Sequence, residues 1–115
     1  MDAALRRLVA FTAGAVVSGH QAEGVFDFET GSRFPVAGSM DGDIVEFRDE
    51  TDGASLAGTL PHLRQGDGTA LELHLEDDEF EGRDAATGAG FRGRVSGRNI
   101  DLTDDAAGDE FTYCL

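Results

Sequence analysis

Apolar and polar residues alternate with a period of two along most of the chain. Leu71, Leu73 and Leu75 alternate with Glu72 and His74, and Phe91, Gly93 and Val95 with Arg92 and Arg94. Val45 and Phe47 alternate with Glu46 and Arg48, and Phe111, Tyr113 and Leu115 with Thr112 and Cys114. An apolar face opposite a charged one is what an antiparallel sheet covering a core requires. The pattern predicts strands near 24–28, 34–40, 44–49, 55–60, 69–76, 79–84, 91–96, 99–104 and 111–115, with a weaker one near 13–18.

Between the strands a motif recurs. D-x-x-x-G-x-x-[F/L] occurs four times, from Asp27 to Phe34, Asp49 to Leu56, Asp84 to Phe91 and Asp104 to Phe111. Random placement of these residue types gives about 0.3 matches. The physical reading is a hairpin turn. Asp accepts hydrogen bonds from amides just ahead of it, and Gly supplies the positive φ at the turn exit. Two residues before the Asp stands Val25, Phe47 or Leu102, with Gly82 in the remaining copy. The stretch from about His62 to Glu81 interrupts the spacing and reads as an insertion, with His62 in a loop after Pro61.

Stacked hairpins must share a core, and a long meander curls and tends to close. The predicted fold is mainly β: an antiparallel up-and-down meander of about 8–10 strands closing into a small barrel or rolled sheet, with a short N-terminal helix. Two packed sheets are the alternative. Inward-facing Gly38, Gly58 and Gly93 suit sharply coiled strands.

The N-terminus admits three readings. Asp2 can cap a helix, with Leu5, Leu8, Val9, Thr12 and Val16 at helical spacing and Arg6 and Arg7 off that stripe. The helix either stops near residue 10, leaving a weak strand after Phe11, or continues to about Val17. Arg6 and Arg7 before the apolar run Leu8 to Val17 also fit a secretion signal cut after Ala22. The expected organisation is one domain, 1–115, with the helix over 1–10 and the hairpins over 11–115.

The register has one oddity. With Val25 inward, Phe26, Phe28 and Pro35 fall on the outer face, and they are the candidate interface residues. Adjacent exposed aromatics need cover. The N-terminal helix lying over them is the simplest cover; a dimer contact or a ligand or protein site are the others.

Charge changes the functional picture more than the fold. Nine basic residues, all Arg, face 23 acidic ones, for a formal net charge of −14. That balance argues against a nucleic-acid partner and against anionic membranes. No apolar run reaches the ~18 residues of a membrane span. A lone cysteine, Cys114, excludes an intrachain disulfide framework. The composition resembles that of proteins working in molar salt, where a carboxylate-rich surface stays soluble; a GC-rich genome gives a similar bias. Salt adaptation and cytoplasmic localisation are the expectations.

Chemistry-bearing patterns are sparse. His20, His62 and His74 fit no metal motif, and His74 beside Glu72 reads as a solvated sheet-face residue. Ser18 and Ser96 precede glycines in turns, outside any nucleophile motif. Cys114 on a terminal strand lacks a fixed histidine. The carboxylate run Glu76 to Glu79 is a hairpin turn rather than a calcium loop. No cofactor and no metal are expected. The function expected is a small acidic binding or interaction module, non-catalytic and oligomeric, partnered by itself or by another protein. The alternatives are an enzyme with a carboxylate/His site and an acidic decoy for a basic partner.

Overall fold

The computed structural model describes all 115 residues, Met1–Leu115. One helix, α1 (Ala3–Ser18), precedes ten strands. These are β1 (Gly24–Asp27), β2 (Ser32–Asp41), β3 (Ile44–Asp49), β4 (Ser55–Thr59), β5 (His62–Gln65), β6 (Ala70–Glu76), β7 (Glu79–Asp84), β8 (Gly90–Ser96), β9 (Asn99–Asp104) and β10 (Asp109–Cys114). Each strand pairs antiparallel with its sequence neighbours, and β1 pairs with β10, so the meander closes into a barrel. The expected mainly β, closed meander is therefore the observed fold. Closure leaves no sheet edge free.

The helix takes the longer of its two expected courses, past the expected boundary at residue 10, and departs from expectation in place. Asp2 caps it, its side chain accepting from the Leu5 N–H at 2.8 Å. Gly19 ends it at φ 68, with Gly19 and His20 N–H groups bonded to Val16 and Ala15 carbonyls. It therefore runs to Ser18, not to residue 10, and no strand forms near 13–18. Nor does it lie over Phe26 and Phe28. Leu5 and every residue from Arg7 to Ala15 are buried, and α1 touches β1, β3, β4, β6, β8 and β9. The helix threads the lumen. A helix apolar on all sides belongs in a core, and the strands supply that surround.

Space decides the details of this packing. A Cβ on Gly14 would stand 2.9 Å from Leu115 Cδ1 and 3.0 Å from Ile100 Cδ1, so glycine lets β9 and the chain end approach the helix. Phe11 meets Phe47 of β3 edge-on at 4.9 Å. At Gly38, φ is 130 and a Cβ would lie 1.8 Å from the Glu46 carbonyl oxygen. The wall bends there in a way no other residue allows.

The segment read as an insertion is part of the meander. His62–Gln65 forms β5, pairing with β4 and β6, so His62 stands on a strand's outer face and not in a loop. The two ends of the barrel differ. At one end the strands turn through two residues: Gly42–Asp43, Leu60–Pro61, Asp77–Asp78 and Gly97–Arg98. At the other end lie the longer loops, four of them built on the D-x-x-x-G motif, and this end surrounds the start of α1.

Candidate functional site

The repeated aspartates all point into the lumen. Asp27, Asp49, Asp84 and Asp104 are buried at the ends of β1, β3, β7 and β9. Each closes its own loop the same way. The main-chain oxygen accepts from the glycine four residues on at 2.8 Å, and Oδ1 accepts from the amide two residues on at 2.9–3.1 Å. The motif glycines have φ between 71 and 76. The turn reading of the motif is thus correct, but it accounts for only one carboxylate oxygen of each pair.

The second oxygen is what the sequence reading missed. Arg7, buried inside the barrel, reaches Asp49 Oδ2 at 3.4 Å and Asp27 Oδ2 at 3.6 Å, and also bonds the half-exposed Asp52. Its guanidinium lies 3.7 Å from the centroid of Phe34. Arg6 approaches Asp104 Oδ2 at 3.5 Å and lies 4.0 Å from the centroid of Phe111. The Met1 amine also donates to Asp104, at 3.2 Å. In two copies, then, the first and last motif residues hold one arginine between a carboxylate and a ring. Asp84 has no cation; Gln65, the inward end of β5, donates to it at 3.0 Å. A signal for this did exist. Each motif Asp follows an inward residue by two, so period two sends it inward, and α1 carries only two cationic side chains to meet it.

Electrostatics follows from this geometry. Burial pushes the Asp104 carboxyl up, but the Met1 amine and the Ala106 and Ala107 amides outweigh it, leaving the group below its ordinary value. Tyr113 faces Asp27 across the β1–β10 pair. Burial, and then the Asp27 charge, push its phenol up to about 12. The Nε atoms of Arg6 and Arg7 are buried without partners, a cost the carboxylates and rings around them must offset.

The other chemistry-bearing groups are dispersed. His20 follows the helix, His62 stands on β5 and His74 on β6. His74 Nε2 lies 3.5 Å from Glu72 Oε2, both about half exposed. Cys114 is a half-buried free thiol on β10. No three His, Cys, Asp or Glu side chains converge where a metal ion could sit. No helix is long and apolar enough to cross a membrane.

The three interface candidates lie together on the outer wall. Phe26 on β1 is half-buried, with Cys114 and Arg33 directly across the neighbouring strands. Phe28, 55% exposed, meets Phe26 edge-on at 5.0 Å. Pro35 is exposed opposite Gly24. Nothing covers the pair, because the helix expected there is inside. Comparison with family models, curated proteins and solved structures finds no match.

Proposed function

We propose that the protein is a non-catalytic interaction module of the cytoplasm, acting through the outside of its barrel by joining a second copy or another protein at the Phe26, Phe28 and Pro35 face. The observation that carries this reading is the position of α1. A helix fills the space in which an open barrel would hold a small molecule. It also engages three of the four repeated aspartates, so the most regular chemistry in the sequence is spent on structure. What remains uncommitted is on the outer wall, where two aromatic rings stand side by side without cover.

The alternatives find less support. An enzyme needs a desolvated acid or base in a concave site, whereas His74 and Glu72 are open to water. A decoy needs carboxylates gathered on one face. Here they stand at both barrel ends and along the walls, as Asp43, Asp77, Glu50, Asp105 and Glu81 illustrate.

The test is the stability of Phe26→Ser with Phe28→Ser. Residues kept for a partner leave the isolated barrel's unfolding free energy within about 1 kcal/mol of the parent. A loss of several kcal/mol would place both rings in the service of folding and overturn the reading.

A further inference from the structure

The two sides of the barrel treat their arginines differently. On the β6–β10 side every outward arginine stands directly across from a carboxylate: Arg83 from Glu72, Arg92 from Glu81, and Arg94 from Glu79 and Asp101. Arg94 bonds Glu79, which raises its pKa. On the β1–β5 side none does. Arg33 faces Phe26, Arg48 faces Ala37 and Ser55, and Arg64 faces Ala57 and Ala70. None of the three forms a salt bridge, in a chain with 23 acidic residues to choose from. Glu46 shares the outer face of β3 with Arg48 but does not bond it, and three cations without a bonded counter-charge, among small and aromatic residues, make a surface fitted to an acidic one.

The opposite side supplies such a surface. A shallow open depression of about 850 Å³ lies over Gly93 there, lined by Glu76, Glu79, Glu81, Asp101 and Glu110 with Arg92 and Arg94. Glu79, opposite Glu76 across the β6–β7 pair, is met by Arg94, whereas Glu76 forms no salt bridge and is open to an incoming cation.

We propose that the β1–β5 wall, centred on Phe26, Phe28, Arg33 and Arg48, docks onto the acidic β6–β10 wall of a second copy of this chain. This rests on the interaction-module reading and names its partner. Unlike walls complement each other better than like ones, because two β1–β5 walls would bring unpaired arginines from both sides. Unlike walls pair arginine with glutamate and cover the rings. The contact is heterologous, so copies join head to tail and continue into a ring or a chain. A barrel with extents of 32 × 29 × 27 Å offers a side large enough for the ~800 Å² per partner of a stable interface.

Sedimentation velocity from micromolar to submillimolar protein tests this, in buffer where circular dichroism shows the chain folded. The wild type is expected to associate progressively. Phe28→Ser with Arg48→Glu disables one wall, and Glu76→Arg with Glu110→Arg disables the other. Each variant alone is expected to sediment as a monomer, its association at least about tenfold weaker. Mixed together they are expected to form 1:1 dimers and nothing larger, since one intact wall of each kind remains. A wild type that stays monomeric throughout overturns the proposal but leaves the module reading, which is judged by the stability of the Phe26/Phe28 variant. Continued self-association of the Glu76/Glu110 variant, signifying a contact between like walls, also overturns it.

Discussion

Two groups of arginines divide the molecule. Arg6 and Arg7 sit inside one end of the barrel, Arg6 between the Asp104 carboxylate and the Phe111 ring, Arg7 between several carboxylates and the Phe34 ring. Arg33, Arg48 and Arg64 stand outside on the β1–β5 wall with no carboxylate across from them. In so acidic a chain, pairing is the easy outcome and its absence is the informative one. The inner pair answers a structural need. Inward aspartates close the loops, and their leftover charge must be met in a space with little water. The outer three meet no carboxylate within the chain; of them Arg64 alone makes a hydrogen bond, donating to the Gly68 carbonyl at 2.8 Å. The same residue type therefore marks the lumen as architecture and the wall as contact surface.

The inner arginines carry the largest expected effect. Asp27→Asn with Asp49→Asn keeps the turn-closing oxygens but strips Arg7 of its buried counter-charges. Urea unfolding is expected to show a loss of about 3–5 kcal/mol. A loss under 1 kcal/mol would mean that Asp52 and Phe34 satisfy Arg7 alone.

Alkali probes the same region. A phenol whose folded pKa is raised binds its proton more tightly in the folded state. Its contribution is intact below the unfolded value near 10 and is lost as pH rises toward about 12. Stability is expected to fall over that window by on the order of 2–3 kcal/mol, and Tyr113→Phe is expected to remove this slope. Asp104 works in the other direction. Its lowered pKa stabilises the fold above the ordinary carboxylate range, and that contribution disappears as acid protonates it.

Within the lumen, Asp84 differs from the other repeated aspartates. It has the turn geometry of the other three aspartates but only Gln65 as a side-chain partner. Asp84→Asn is expected to cost less than about 1 kcal/mol in chemical denaturation, well below the double change at Asp27 and Asp49. The smallest effect belongs to the wall. Phe28→Ser is expected to change the unfolding free energy by no more than about 0.5 kcal/mol.

Much of the fold was legible because period-two alternation and Asp/Gly turns are local signals. The β5 strand escaped because it is short, opens with His62 after Pro61 and carries one fully buried apolar residue, Leu63. The length of α1 stayed open between residue 10 and about Val17, because a weak strand pattern from Phe11 competes with the helix through Thr12 and Gly14. In the lumen Thr12 bonds the Leu8 carbonyl at 2.7 Å, and Gly14 makes room for Ile100 and Leu115. Its position was harder to read. Helical spacing suggested one apolar stripe and a helix lying on the outside, whereas residues 8 to 17 are apolar or small on every side. The outward aspect of Phe26, Phe28 and Pro35 followed from strand register alone. The partners of Arg6 and Arg7 did not, because they depend on closure bringing loops that lie 20 to 98 residues along the chain from these arginines around one helix end.

The division between inner and outer arginines is tested most directly by unfolding Arg7→Ala and Arg48→Ala side by side in urea. Arg7→Ala is expected to lose about 3–5 kcal/mol, having left buried carboxylates without a cation. Arg48→Ala is expected to stay within about 0.5 kcal/mol of the parent. Equal losses, or a larger one at Arg48, would contradict the account.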